Sequence, residues 1–180
     1  MELRSPFVVL RPFRADEIEP VLESARRWLT EPKEDAALRE GTRHRIEASG
    51  TMTERGIDFA VEVDGRLVGD VQARRDMLPR GTFELGIALF EEADRGRGYG
   101  RAAVALVTQH LFDEEGAHRV QLSTDVTNTA MRGVVEHLGF GFEGVLRGFW
   151  PEPDGPHDYA MYGITKRDYE ERGKPWIPRS

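Results

Sequence analysis

Three glycines alternate with arginine and tyrosine in one short segment of the chain. Residues 95–101 read Arg-Gly-Arg-Gly-Tyr-Gly-Arg, between a stretch of alternating apolar residues and a stretch with helical spacing. Glycine lets the backbone approach a ligand closely, and the first N–H groups of a helix have no intrahelical acceptor. The segment therefore predicts a site for an anionic group such as a diphosphate, with arginines adding positive charge. A solvated surface turn is the alternative for this segment taken alone.

Two common nucleotide-binding motifs do not fit this spacing. A P-loop has four residues between its glycines, followed by Lys and Ser or Thr, and the sequence contains no such element. A dinucleotide fingerprint that begins at Gly96 needs another glycine at position 101, which is occupied by Arg101. The segment also lies in the middle of the chain, after a predicted hairpin, and not in an opening βαβ unit.

Strands and helices interleave around the glycine-rich segment. Apolar residues alternate on both sides of Asp64-Gly65, which predicts a β-hairpin over 59–73 with a type I′ turn. Residues 82–90 alternate as well, and they carry Glu84 on the face opposite the apolar side chains. Further strands are predicted at 7–10, 118–126, 140–150 and 157–164, the last two joined by a turn over 151–156. Helical spacing predicts helices over 18–29, 34–49, 98–111 and from Asn128 to 138. This order indicates a mixed sheet with helices against its faces.

The composition restricts the classes of function. The chain has 180 residues, with 25 Lys and Arg against 32 Asp and Glu, and its net charge of −7 argues against a nucleic-acid partner. It has no cysteine, which excludes disulfides and thiolate chemistry, and its five histidines lack metal-ligand spacing, so no metal is predicted. No apolar run approaches the roughly 20 residues of a membrane span. We expect one cytoplasmic domain over residues 1–180, with a tail from about 174 and no membrane partner.

Several motifs together resemble the GCN5-related N-acetyltransferase superfamily, abbreviated GNAT. The glycine-rich segment matches its pyrophosphate-binding signature. Other matching segments are Glu-Leu-Gly-Ile at 84–87, Asn-Thr-Ala at 128–130, Glu-His-Leu-Gly-Phe at 136–140 and Phe-Glu-Gly-Val-Leu-Arg at 142–147. These segments are similar to the branch that acetylates the N-termini of ribosomal proteins. Because the motifs occur in the same order, the resemblance covers nearly the whole chain.

The resemblance implies a fold and a cofactor site. The implied fold is a single α/β domain with a mixed, mostly antiparallel seven-stranded sheet, flanked by about four helices and splayed open at its middle. Backbone N–H groups at about 95–100 would hold the diphosphate of acetyl-coenzyme A, and backbone groups near 88–90 would pair with its pantetheine arm. Asn128 would contact the cofactor, and a helix N-cap is an equally good physical role for it. The implied cofactor-binding residues are Ala88, Leu89, Phe90, Arg95, Gly96, Arg97, Gly98, Tyr99, Gly100, Arg101 and Asn128.

Acetyl transfer to an amine also needs proton transfers. An amine with a pKa near 8 to 10 is mostly protonated at neutral pH, so a base accelerates its attack on a thioester. Glu84 matches the glutamate that the family uses as this base through a water, and a surface carboxylate is the alternative. The family often protonates the leaving thiolate with Tyr or Ser, but Val135 and Met131 occupy those positions here. Thr127, Ser123 or a water are the substitutes considered.

The acceptor amine is not defined by these motifs. A protein N-terminal α-amine and a small-molecule amine both fit. Acceptor selection is expected from the first two helices and from loops at 75–82 and 149–157, with Trp28, Phe149, Trp150 and Asp154 at the entrance. A coenzyme A binding module without turnover and a structural domain without the cofactor are the competing interpretations. The superfamily's frequent dimers also make a homodimer an expectation.

Overall fold

The structure is a computed structural model that describes residues 1–27, 29 and 34–172. Trp28 and the predicted tail from residue 174 lie outside the described residues. The helices are α1 (Ile18–Arg27), α2 (Asp35–Ala48), α3 (Tyr99–Asp113), α4 (Thr129–Leu138) and α5 (Lys166–Arg172). The strands are β1 (Leu3–Arg4), β2 (Val9–Arg11), β3 (Gly56–Val63), β4 (Arg66–Arg74), β5 (Thr82–Leu89), β6 (Arg119–Asp125), β7 (Gly141–Glu152) and β8 (Gly155–Thr165).

All of these strands belong to one sheet with the order β1-β2-β3-β4-β5-β6-β8-β7. Every neighbouring pair is antiparallel except β5 and β6, so the predicted mixed, mostly antiparallel sheet is confirmed. The described residues contain eight strands rather than seven because the two-residue strand β1 pairs with β2. They contain five α-helices rather than about four because α5 follows β8. None of the described helices is long and apolar enough to cross a membrane.

Both hairpins have the predicted position, but the second has a shorter turn. Asp64 and Gly65 have φ angles of 50° and 79°, as a type I′ turn between β3 and β4 requires. In the second hairpin, the pairing of β7 with β8 continues through Pro151 and Pro156, which the sequence analysis predicted to lie in the turn. Proline is tolerated there because β6 pairs with β8 only as far as Tyr159, so β8 needs no hydrogen bond on that side.

The two faces of the sheet are covered by different helices. The main core contains Phe59 and Val61 of β3 together with the buried side of α3. Ala60 lies between them in sequence and therefore points to the opposite face, where it packs with Val21 of α1 and Ile46 of α2. Cross-strand partners share a face, so Asp70, which pairs with Ala60, also lies on the α1–α2 face.

An ion-pair network fixes α2 to this face. The Arg45 guanidinium lies 2.7 Å from Asp58 of β3 and 2.5 Å from Asp70 of β4. Burial raises the pKa of Asp70, and the neighbouring Arg45 opposes that rise. Removing one partner would leave a buried charge uncompensated, which is costly. The network therefore holds α2 against β4, the strand next to β5.

Candidate active site

A gap opens between the two parallel strands at the centre of the sheet. Strands β5 and β6 pair only from Thr82 to Glu84, opposite Arg119 to Gln121. Beyond this point β5 continues to Leu89 and β6 to Asp125 without pairing to each other. Glu84 therefore lies where the gap begins, in agreement with a sheet that is splayed open at its middle.

Backbone groups on one edge of β5 face this gap. The Phe90 N–H donates to the Val68 carbonyl at 3.0 Å, on the β4 side, which corrects the expectation that it faces a ligand. Successive residues of a strand direct their backbone groups to alternate sides. The groups of Leu89 and Ile87 consequently point into the gap, whereas those of Ala88 point toward β4.

The glycine-rich segment forms the turn that leads from β5 into α3. Gly96 and Gly98 have φ angles of 73° and 85°, in the left-handed region that favours glycine. The first intrahelical bond runs from the Ala102 N–H to the Gly98 carbonyl at 3.0 Å, so the N–H groups of residues 99–101 lie at the open end of the helix. The Arg95 N–H does not join these groups, because it donates to the Glu92 carbonyl.

The arginines of this turn are not neutralised by the part of the chain that the structure describes. Arg95, Arg97 and Arg101 form no salt bridge there, although the chain as a whole is acidic. The Arg101 Nε is buried and has no hydrogen-bond partner among the described residues. Together with the helix N-terminus, these groups fit a ligand that carries phosphates.

One groove of about 810 Å³ joins the turn to the gap. All of the cofactor-binding residues implied by the resemblance line it: Ala88, Leu89, Phe90, Arg95, Gly96, Arg97, Gly98, Tyr99, Gly100, Arg101 and Asn128. The sequence analysis missed Ser24, which reaches the groove from α1, and Ile87 of β5. Nothing in the local pattern of α1 marks Ser24, since its position depends on how the helix packs over the sheet.

Asn128 is the N-cap of α4 and also borders the groove. Its Oδ1 accepts a hydrogen bond from the Met131 N–H at 3.1 Å, and its Nδ2 donates to the Thr124 Oγ1 at 3.1 Å. The capping role is therefore observed. Its contact with a cofactor stays a prediction.

Glu84 is held by two neighbours on the α1–α2 face. Its Oε1 lies 2.7 Å from the Arg74 guanidinium, and its Oε2 accepts a hydrogen bond from the Gln121 Nε2 at 3.1 Å. Each carboxylate oxygen has a second lone-pair site, so Glu84 can accept a hydrogen bond from a water while it keeps both contacts. The longer bond to the neutral Gln121 amide is the weaker of the two.

The positions considered for a general acid differ in their surroundings. Val135 is fully buried in the main core and does not line the groove, whereas Met131 does. The Thr127 hydroxyl is engaged with Asp125 at 2.6 Å. Ser123 lies two residues beyond Gln121 on β6, on the same face as Glu84.

The described residues contain no cluster of three or more side chains suited to a metal ion.

The hairpin of β7 and β8 places aromatic and charged side chains on the Glu84 face. The Phe149 ring centroid lies 5.5 Å from that of Tyr159, and the Trp150 centroid lies 6.1 Å from it. Beside them, His157 is within 2.7 Å of Asp125 and 3.0 Å of Asp154. The sequence analysis named Phe149, Trp150 and Asp154 for this region but missed Tyr159 and His157.

The His157 imidazole is expected to titrate above its ordinary value of 6.5. Its hydrogen bond to Asp125 raises its pKa, and the Asp154 carboxylate adds to that rise. The folded state therefore binds this proton more tightly than the unfolded chain, so the stabilisation is complete below pH 6.5 and is lost as pH rises through the folded pKa. An NMR titration should give a midpoint above 6.5 that falls toward 6.5 in Asp125→Asn. The same midpoint in both proteins would contradict this assignment.

Comparisons with known proteins agree with this geometry. A family model described as "Acetyltransferase (GNAT) domain" matches residues 8–141. YdaF of Bacillus subtilis (strain 168), named as a candidate ribosomal N-acetyltransferase, is 30% identical over 116 residues, which are 64% of this chain. The matched segment spans 62% of the length of YdaF.

Solved acetyltransferase structures share the fold. RimJ of Mycobacterium smegmatis, in complex with CoA-disulfide, has a TM-score of 0.76 at 22% identity, covering 98% of this chain and 90% of RimJ. Mutant forms of the spermidine/spermine N-acetyltransferase SpeG from Vibrio cholerae give a TM-score of 0.78 at 19% identity, covering 94% of this chain and 100% of SpeG. At these identities the likeness concerns the fold alone.

Proposed function

Because the chain belongs to the acetyltransferase (GNAT) family, we propose that it transfers the acetyl group of acetyl-coenzyme A to a primary amine. The observation that carries this proposal is the single groove that contains the glycine-rich turn, its arginines and the gap in the sheet. The groove provides helix N–H groups and positive charge at one end and unpaired strand backbone at the other. Those two features suit a diphosphate and the amide-containing arm of coenzyme A.

The residues of the groove divide the task of binding between them. The N–H groups of residues 99–101 and the Arg101 guanidinium hold the diphosphate. The backbone groups of Ile87 and Leu89 hydrogen-bond the pantetheine arm as a neighbouring strand would. When bound, acetyl-coenzyme A supplies the thioester carbonyl that the acceptor amine attacks directly, with both substrates present together.

Glu84 acts as the base in this proposal. It lies at the start of the gap on the α1–α2 face, where it accepts the proton of the acceptor ammonium through a water. Arg74 orients the carboxylate at 2.7 Å, and a lone-pair site that neither Arg74 nor Gln121 uses accepts the hydrogen bond of the water. No side chain is assigned as general acid, because a thiol with a pKa near the ~8.5 of cysteine can leave as a thiolate.

A coenzyme A binding module without turnover is the second candidate. It is favoured by the α4 side chains that line the groove, because Ala130, Met131 and Val134 cannot donate a proton. This candidate and the enzyme share the same cofactor site. They differ only in whether an amine is acetylated.

Calorimetric titration with acetyl-coenzyme A, coenzyme A and ATP tests the shared site. We expect one molecule of either coenzyme A form to bind per chain and ATP not to compete, because ATP lacks the pantetheine arm. A turnover assay with amines and peptide N-termini then separates the two candidates. Absence of coenzyme A binding would remove the site altogether, and binding without any turnover would favour the module.

The organisation of the protein is part of the same proposal. We treat residues 1–180 as one catalytic domain, and the homodimer stays a prediction. Light scattering coupled to size-exclusion chromatography measures the dimer directly. A mass near the 20.4 kDa of one chain would contradict it.

A further inference from the structure

One buried hydroxyl of helix α1 has hydrogen-bonding capacity that no described residue uses. Ser24 is only 5% exposed, and its side chain forms no hydrogen bond with the residues that the structure describes. Its Oγ is also not one of the unpaired atoms that are sealed from solvent, so it borders open space. Ser24 lines the groove that joins the glycine-rich turn to the gap. Because buried polar groups normally have a partner, this hydroxyl is available to a ligand in the groove.

Two other buried hydroxyls on helices show the ordinary alternatives. The Thr42 hydroxyl of α2 donates to the Leu38 carbonyl one turn earlier, at 2.9 Å. The Thr108 hydroxyl of α3 is sealed in the protein without a partner among the described residues, and Thr108 does not line the groove. Ser24 differs from both, because it makes no such bond to Pro20 and its Oγ stays accessible.

Ser24 lies at the level where strand β5 ends. Ser24 and Phe90 both line the groove and also a neighbouring cavity of about 480 Å³. The apolar cluster around Val21, three residues earlier on α1, packs against Leu67 and Phe90. Residues three apart on a helix share a face, and Phe90 directly follows Leu89, the last residue of β5. Ser24 is therefore beside the point at which the chain leaves β5 for the glycine-rich turn.

This level lies between the two ends of the proposed cofactor site. At one end, the N–H groups of residues 99–101 are proposed to hold the diphosphate. At the other end, the backbone groups of Ile87 and Leu89 are proposed to pair with the amides of the pantetheine arm. In coenzyme A the pantoyl unit joins the diphosphate to those amides, and it carries one secondary hydroxyl. The pantoyl unit is therefore the part of the cofactor that passes Ser24.

We propose that the Ser24 hydroxyl forms a hydrogen bond with the pantoyl hydroxyl of acetyl-coenzyme A. Each of the two hydroxyls can donate and accept, so they are chemically matched. This inference rests on the proposed acetyltransferase function and adds a cofactor contact from α1. The arm then has Met131 and Val134 of α4 in the groove and Ser24 on the α1–α2 face of the sheet.

Calorimetric titration with coenzyme A tests the proposal without turnover. Ser24→Ala should raise the Kd about fivefold, because one hydrogen bond between neutral groups is lost. An analogue of coenzyme A with hydrogen in place of the pantoyl hydroxyl should bind the wild-type protein about fivefold more weakly, for the same reason. Ser24→Ala should not weaken binding of this analogue any further, because the two changes remove the same bond.

Thr108→Val is the matched control. It also removes a buried, unpartnered hydroxyl from a helix, but outside the groove, so the Kd for coenzyme A should equal that of the wild-type protein. Neither substitution should lower the melting temperature, since neither hydroxyl has a partner among the described residues. A lower melting temperature in Ser24→Ala that accompanies its weaker binding would assign Ser24 a structural role and overturn the inference.

The remaining outcomes separate this inference from the proposed function. Equal Kd values for coenzyme A in the wild-type protein and Ser24→Ala would overturn the inference, and so would losses that add when the variant is titrated with the analogue. If coenzyme A binds and Ser24→Ala has no effect, only this inference fails. If coenzyme A does not bind the wild-type protein, the proposed function fails.

Discussion

Gly98→Val is expected to weaken acetyl-coenzyme A binding at least about 100-fold while the protein stays folded. Gly98 has a φ of 85°, where a β-branched residue is strained by roughly 1–2 kcal/mol. Gly98 lines the groove, and a Cβ at this position would have the Arg101 guanidinium as its nearest neighbour among the described residues, at 3.9 Å, so the new side chain would lie beside a group proposed to bind the diphosphate. Losing two charge-assisted hydrogen bonds to the diphosphate is sufficient for a loss of this size.

Gly116→Val separates backbone strain from the loss of the site. Gly116 has a φ of 66°, open space around it and no contact with the groove. Both variants should therefore lose similar thermal stability, and only Gly98→Val should lose affinity in calorimetry. Wild-type affinity in Gly98→Val would show that the diphosphate does not bind at this turn.

Glu84→Gln should lower kcat/KM by about 10²- to 10⁴-fold at neutral pH, which is the usual contribution of a positioned base. The defect should shrink as pH rises, because an increasing fraction of the amine then loses its proton without assistance. The substitution also removes the ion pair with Arg74. Arg74 is 51% exposed, so this loss should have little effect on stability.

Glu171→Gln is the control for Glu84→Gln. It also removes a carboxylate paired with an arginine, here Arg167 at 2.8 Å, but Glu171 lies on α5, away from the gap and from the hydrogen bonds around Glu84. Its pH–rate profile should follow that of the wild-type protein. A Glu84→Gln defect that is uniform across pH would assign Glu84 a structural role instead of the base role.

Most elements were predictable because their signals are local. The β3–β4 hairpin follows from alternation around Asp64-Gly65, and α2 (Asp35–Ala48) lies within one residue of its predicted limits. Strand β1 and helix α5 were not predicted. A two-residue strand has no periodicity of its own, and the seven residues of α5 place only Tyr169 in the core. Both elements form through contacts with distant parts of the chain.

The glycine-rich end of the groove was accessible from sequence because one continuous segment builds it. The glycines fix the turn, and the helix that follows supplies the N–H groups, so residues 95–101 form this end of the groove. The Arg95 N–H is not one of these groups, because it donates to Glu92. A turn of this kind depends on the φ angles of consecutive residues, and the positions of the glycines indicate those angles in the sequence.

The sequence by itself determined the family resemblance, the mixed sheet and the glycine-rich turn before α3, because each depends on periodicity or on a continuous motif. Only the tertiary structure decided that β5 and β6 separate after Glu84, that Arg74 and Gln121 hold this carboxylate, and that Tyr159 joins Phe149 and Trp150. These features depend on strand register. Register is set by the packing of the whole sheet, and it brings together residues that are distant along the chain.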